Sequence, residues 1–348
     1  MNHRRSLALA LLFAAAPPAE GANLEVPKDY ATIQAAVDAA GPGDVVRIAK
    51  GDYAEAVVID GKTDLTIRGK GKKTRLGGST IPITVENSSD ITIDALHFSG
   101  ETAGIYVIDM AGIAVRNCRA EGDYGIWALH ASQMTIEGCS FEAGSTDVHL
   151  AGSTECVIRD CQLAGSTGLV IASTSTIATV VDNEFSNSLR GVVVRGASSV
   201  LDNEFDSCPL GVHFFNEGTG ATVAGNSFKG CETAILSDDD ADSAVLDDNV
   251  IKGGGVGLDL DPGMNFTILR NSIKKTASDA IRLRASATGC LVAKNKIVKA
   301  GASGIHVEGV GNTLMNNSAK KSAGFDLTDE TNAGDNSYVA NKFTKIAP

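Results

Sequence analysis

Asp238, Asp259 and Asp261 fall on adjacent turns of an internal repeat, with Arg282, Arg284 and His306 on the turns that follow. Carboxylates converging from neighbouring turns offer the hard oxygen ligands that Ca2+ requires. A cation held there would mask the carboxylate of an acidic sugar, and the proton beside that carboxylate becomes removable only once it is masked. Arg282, Arg284 and His306 stand next to that point as the candidate catalytic groups. Upstream in the same outward columns stand Tyr106, Trp127, His149, His213 and Phe215, whose rings suit the flat faces of sugars. A plainer reading competes. Asp259 over Arg282 and Asp261 over Arg284 also make cross-strand ion pairs, each worth about 0.2–1 kcal/mol. Residues 238–261 hold eight aspartates and one lysine, so this stretch also reads as a solvated acidic bulge.

These residues need a scaffold that sets equivalent positions side by side, and the repeat supplies it. The pattern aliphatic-x-x-Asn-x-Phe/Ile recurs as Val180…Asn183…Phe185, Val200…Asn203…Phe205 and Val223…Asn226…Phe228, and onward through Asn249, Asn271, Asn295, Asn317 and Asn341. Upstream the asparagine slot holds Leu96, Cys118, Cys139 and Cys161, and successive slots lie 20–24 residues apart. A second column of Gly-Ile-x-Val segments starts at Gly104, Gly125, Asp147, Gly168, Gly191, Gly211, Ala234, Gly257, Ala280, Gly304 and Gly324. Alternating apolar positions in those segments mark short strands with one buried face. The third residue of each points outward, from Tyr106 through His306 to Asp326. The fifth does likewise, and includes Arg195, Phe215 and Glu308.

A repeat of this length with strands suits a leucine-rich horseshoe or a parallel β-helix. The horseshoe needs Leu-x-x-Leu-x-Leu runs and a helical stretch per repeat, and neither occurs. The expected fold is therefore all-β: a right-handed parallel β-helix of about 11–13 coils, stacked about 4.8 Å apart. The asparagines are expected at bends, where their tolerance of left-handed backbone helps, and stacked amides can bond to one another. Cys118, Cys139 and Cys161 then read as small side chains stacked inside. Open ends need covers: residues 32–40 form an amphipathic helix in an N-terminal cap and first coils (24–80), regular coils run over 81–327, and 328–348 close the C-terminus.

The chain has 348 residues, with 42 acidic and 30 basic side chains for a net charge of −12. Such a surface repels phosphate backbones and anionic headgroups, so neither nucleic acid nor membrane insertion is expected. Arg4, Arg5 and the apolar run Leu7–Ala16, ending in Ala19-Glu20-Gly21, read as an export signal over residues 1–21. The remainder, 22–348, is expected to be one secreted or periplasmic domain.

Tyr30-Ala31-Thr32-Ile33-Gln34-Ala35-Ala36-Val37, Gly43-Asp44-Val45-Val46, Gly51-Asp52-Tyr53 and Leu65-Thr66-Ile67-Arg68-Gly69 resemble the opening of the pectin-lyase-like superfamily, shared by pectinesterases and NosD-type periplasmic β-helix proteins. The resemblance spans roughly residues 24–345. The resemblance implies pectate-lyase-like chemistry, in which calcium neutralises the substrate carboxylate and a nearby arginine removes the C5 proton; here Arg282 or Arg284 would be that base, with His306 as the alternative. The pectinesterase strings Gly-x-x-Asp-Phe-Ile-Phe-Gly and Leu-Gly-Arg-Pro-Trp are missing, as is the polygalacturonase set. Asp261-Pro262-Gly263 lacks the histidine of the mannuronan epimerase Asp-Pro-His motif. A NosD-like copper role would want a methionine- or histidine-rich ligand set, and Met1 is one of only five methionines. The expectation is an exported protein that binds, or modifies by calcium-assisted elimination or epimerisation, an acidic polysaccharide. The alternatives are a non-catalytic scaffold and a copper-maturation accessory.

Overall fold

A computed structural model describes residues 21–215, 220–238 and 241–347. The expected export signal therefore lies outside the described residues except for Gly21, as do Asp239 and Asp240. The chain winds as a parallel β-solenoid of about 14 turns, each turn laying down three short strands. The first sheet is a stack of fifteen strands from Asn23–Val26 to Ser337–Val339. The second runs from Gly51–Tyr53 to Ser318–Lys320, and the third from Val57–Asp60 to Leu327–Asp329. Two long strands, Arg119–Leu129 and Ser140–Ala151, turn the corner and belong to both the second and third. Every strand pairing is parallel, with coil-to-coil register held from Ile83↔Ile105 to Ile305↔Leu327.

Inside the cylinder, identical positions form ladders. Asn183, Asn203, Asn226, Asn249, Asn271, Asn295 and Asn317 are all buried. Asn249 shows the pattern: its Nδ2 donates to the Val223 carbonyl and to Asn271 Oδ1, both at 2.9 Å, while its Oδ1 accepts from Asn226 N at 3.1 Å. A polar group this deep is tolerated because every donor and acceptor is used. The bend itself falls one residue earlier than the sequence suggests. The left-handed residues are Asp182, Asp202, Asp248 and Arg270, each just before a ladder asparagine, which itself keeps ordinary backbone geometry. The asparagine is there for its amide. Cys118, Cys139 and Cys161 continue the ladder as buried free thiols, with Cys139 N donating to Cys161 Sγ and Cys161 N to Asn183 Oδ1.

Beside the amides run stacked rings. Phe185 and Phe205 lie 4.8 Å apart and Phe205 and Phe228 4.7 Å, nearly parallel. These rings dictate the glycine column of the third sheet. A Cβ on Gly168, Gly191 or Gly211 would sit 2.6 Å from the ring of Phe185, Phe205 or Phe228 respectively. Alanine enters that column at Ala234, where the following turn carries Ile251 in place of phenylalanine.

The helix Ile33–Ala39 covers the front end. The side chain of Thr32 caps it by accepting from Ala35 N, and Ile33, Ala36 and Val37 face the core. At the back the register shifts by two residues from the sequence expectation. His306 pairs with Thr328, so Asp326 falls in the glycine column and not on the outward face. There the buried Asp326 accepts from Ser322 N and from Thr344 and Lys345 N, tying the final chain segment to the last coil. No described helix is long and apolar enough to cross a membrane.

Candidate functional site

The outward face of the third sheet carries the sequence-selected residues, in the expected order. Tyr106, Trp127, His149, Val170, Val193, His213, Leu236, Asp259, Arg282 and His306 are successive register partners. The face divides into two parts of different chemistry.

The front part is aromatic and cationic. Tyr124 stacks on Trp127 with centroids 5.1 Å apart, Tyr106 meets Trp127 edge-on at 5.6 Å, and His149 meets both Tyr124 and Trp127 edge-on. All four rings are half-buried, leaving part of each open to solvent. Tyr124 escapes the sequence pattern because it stands just before Gly125, outside the counted third and fifth positions; its aromatic character beside Trp127 was the available signal. Burial holds the His149 imidazole below its ordinary value, and the positive charge of Arg195 adds to that. Two coils further on, Thr167, Val170, Arg190, Val193, Arg195, His213 and Phe215 line a cavity of about 190 Å³. The Arg195 guanidinium lies over the Phe215 ring at 4.8 Å, and His213 packs against Phe215 at 5.4 Å. His213 is 5% exposed, and its Nε2 meets Asp238 Oδ1 at 2.8 Å.

The rear part is an ion-pair mesh. Arg284 grips Asp259 with both ends of its fork, Nε to Oδ1 and Nη2 to Oδ2, each at 2.7 Å. Arg282 puts Nε and Nη2 on Glu308 Oε1 at 2.9 and 2.7 Å. His306 has both ring nitrogens engaged, Nδ1 with Asp279 at 3.1 Å and Nε2 with Glu330 at 2.9 Å. The pairs anticipated from sequence, Asp259 with Arg282 and Asp261 with Arg284, are thus re-drawn: register partners stand side by side, but the long arginine forks reach diagonally to carboxylates on the next column. Arg284 is only within 3.9 Å of Asp261, whose carboxylate takes the Ser286 hydroxyl instead.

That mesh also bears on the expected calcium ligands. Asp238 and Asp261 are register partners, and Asp259 lies on the same coil as Asp261. Asp238 is bonded to His213 and Asp259 is closed by Arg284, so the three do not turn their oxygens on one point. Among the described residues no three His, Cys, Asp or Glu side chains gather as a metal-binding group. Asp259 also drives the Arg284 guanidinium further up from its ordinary value, through its hydrogen bonds first and its charge second. A guanidinium held charged this firmly is a poor proton acceptor.

The stacked coils and the outward face define a right-handed parallel β-helix, and the residue pattern assigns it further. The chain belongs to the family of periplasmic copper-binding proteins (NosD), whose model matches residues 57–240. A model of the right-handed beta helix region matches residues 167–319. No curated protein matches the sequence. Among solved structures, the surface adhesin PfbA of Streptococcus pneumoniae is similar at 12% identity over 93% of each chain, with a TM-score of 0.56. The PL6 family alginate lyase AlyGC is similar at 16% identity over 89% of this chain and 53% of that one, TM-score 0.59. The mannuronan C-5 epimerase AlgE6 A-module of Azotobacter vinelandii is similar at 17% identity over 91% and 94%, TM-score 0.53. At these identities the likeness is one of fold.

Membership of a copper-binding family makes copper the metal to test. Copper sites are built from imidazoles and soft sulfur donors that converge. Here all seven cysteines are buried inside the cylinder, Met110 and Met134 are core residues, and each described histidine meets a carboxylate or a ring: His97 with Glu121, His130 with Asp109, His213 with Asp238, His306 with Asp279 and Glu330, and His149 with Trp127. The described donor set does not fit a copper centre.

Proposed function

We propose that this β-helix binds a polysaccharide along the outward face of its third sheet, with the Tyr106, Tyr124, Trp127 and His149 cluster as the stacking platform. The observation that carries the reading is the packing of those four half-buried rings on three consecutive coils, beside a cavity lined by Arg190, Arg195 and His213. A rigid sheet presents rings at the fixed coil spacing, which suits a polymer better than a small molecule. The fold relatives include an alginate lyase and a mannuronan epimerase, which supports a sugar polymer as the ligand class. Binding, rather than bond cleavage, is what the residues favour: Arg282, Arg284 and His306 are already committed to carboxylates of the same chain. They brace the sheet. An exported location fits this reading, since such polymers lie outside the cytoplasm.

Trp127 is the only tryptophan, so its emission reports on the platform directly. Titration with oligosaccharides of alginate, polygalacturonate and neutral glucans is expected to give a saturable change with at least one of them. A flat titration with every polymer, in folded protein, would remove the reading.

A further inference from the structure

Among the described residues, two buried polar atoms on this face have no partner: Arg195 Nε and His213 Nδ1. Both belong to residues lining the cavity ahead of Asp238. A guanidinium Nε left unbonded beneath the surface is costly unless something else bonds it. Elsewhere on the same sheet the fold shows what that partner is. Arg284 occupies the fifth position of its segment, and its Nε and Nη2 hold both oxygens of Asp259, the third-position residue of the preceding coil. Arg195 occupies the same fifth position in its own segment, its N–H bonded to the Ile171 carbonyl. The third-position residue of its preceding coil is Val170. Where Arg284 finds a carboxylate, Arg195 finds a valine, and the cavity lies over that valine.

The second atom sharpens the chemistry. With Nε2 of His213 donating to Asp238, Nδ1 is left as an acceptor. It would accept a hydrogen bond from a hydroxyl. The Phe215 ring covers one face of the guanidinium at 4.8 Å, and Arg190 adds a second positive charge at the exposed rim. Among the described residues neither Arg190 nor Arg195 has an acidic side chain within 4.0 Å.

The geometry points to a uronic-acid subsite here: a sugar carboxylate sits over Val170 in the fork of Arg195, and a hydroxyl of the same ring donates to His213 Nδ1. The inference rests on the glycan reading of the platform and adds the class of sugar and the place of its charge. The ligand carboxylate takes the position that Asp259 takes one part of the sheet further on.

The test compares oligouronates with their carboxyl-reduced, neutral counterparts by calorimetry and Trp127 emission, on wild type, Arg195→Gln and Val170→Asp. Val170→Asp supplies the missing internal carboxylate and closes the fork. Both variants are expected to weaken oligouronate binding about tenfold to hundredfold, the range for a charge-assisted bidentate bond, and to leave the weaker neutral binding within twofold. Unchanged circular dichroism and thermal midpoint confirm the fold, and Arg195→Gln carries the test should Val170→Asp misfold. Oligouronates bound equally by wild type and Arg195→Gln would overturn the subsite while leaving the platform standing. Binding of neither sugar class by wild type would overturn both. Tighter binding of sulfated than of uronate oligosaccharides, lost in Arg195→Gln, would reassign the fork to sulfate and overturn the carboxylate.

Discussion

The front and rear of one sheet share backbone, register and column, yet end in opposite states. From Asp259 to Glu330 every cation on the outward columns has found a carboxylate of its own chain, and the surface is electrostatically closed. From Tyr106 to Phe215 rings lie open and a guanidinium and an imidazole each keep a buried atom unbonded. For the two fifth-position arginines a single residue makes the difference: aspartate at the third position of the preceding coil for Arg284, valine for Arg195. On a β-helix, register turns such a choice into either a brace or a binding site.

The largest way to break the contrast is at the platform. Trp127→Ala is expected to weaken oligosaccharide binding about thirtyfold or more, as loss of a central aromatic anchor does, whereas Arg282→Gln changes it less than twofold; parallel calorimetric titrations decide. Stability should show the reverse. Arg284→Gln leaves Asp259, 5% exposed, without its partner, and urea unfolding is expected to show a loss of about 1–3 kcal/mol, below the cost of a fully buried pair because Arg284 is itself 35% exposed. Arg195→Gln removes no internal carboxylate, only the contact with the Phe215 ring, and should stay within about 1 kcal/mol of wild type. Equal losses for the two arginines would erase the distinction between brace and site.

Much of this was legible in the sequence and part was not, for definite reasons. The coil ladder is a one-dimensional pattern, so Asn226, Asn249 and Asn271 announced their stacking through spacing alone, and so did the order of Tyr106, Trp127 and His149. The partner of Arg284 was not legible, because a long fork chooses among several carboxylates within reach and register names only the nearest backbone. Asp326 was misplaced by two residues where the repeat yields to the closing segment. Asp182 and Arg270 show why the bend was read one position late: the asparagine was assigned both to the turn and to the ladder, and it serves only the ladder. Arg195 looked like an ordinary surface cation until the absence of an acid over Val170 became visible.

Finer effects sharpen the front part further. Asp147 stands in the glycine column beneath His149 and accepts from Ala143 N at 2.8 Å and Gly165 N at 2.7 Å. Burial pushes its carboxyl up to about 7, with those amides pulling the other way. The folded chain therefore keeps a proton that the unfolded chain releases near the ordinary value of 3.8. On this group's account stability is greatest below that value and falls as pH rises toward 7. Carbon-detected titration is expected to show one carboxyl changing near neutrality, missing in Asp147→Asn. The smallest effect concerns His149, whose lowered value makes its share of stability fall as pH drops below 6.5. Arg195→Gln should move the His149 proton resonances to titrate at higher pH, though still below normal, because burial is the larger cause. No movement would place Arg195 too far from the platform to act with it.

A crystal structure with a bound oligouronate tests the account most directly. The account predicts a sugar ring over Trp127 and Tyr124, with a neighbouring ring placing its carboxylate in the fork of Arg195 above Val170. Sugar lying instead across the Asp259–Arg284 mesh, or on either of the other two sheets, would contradict it.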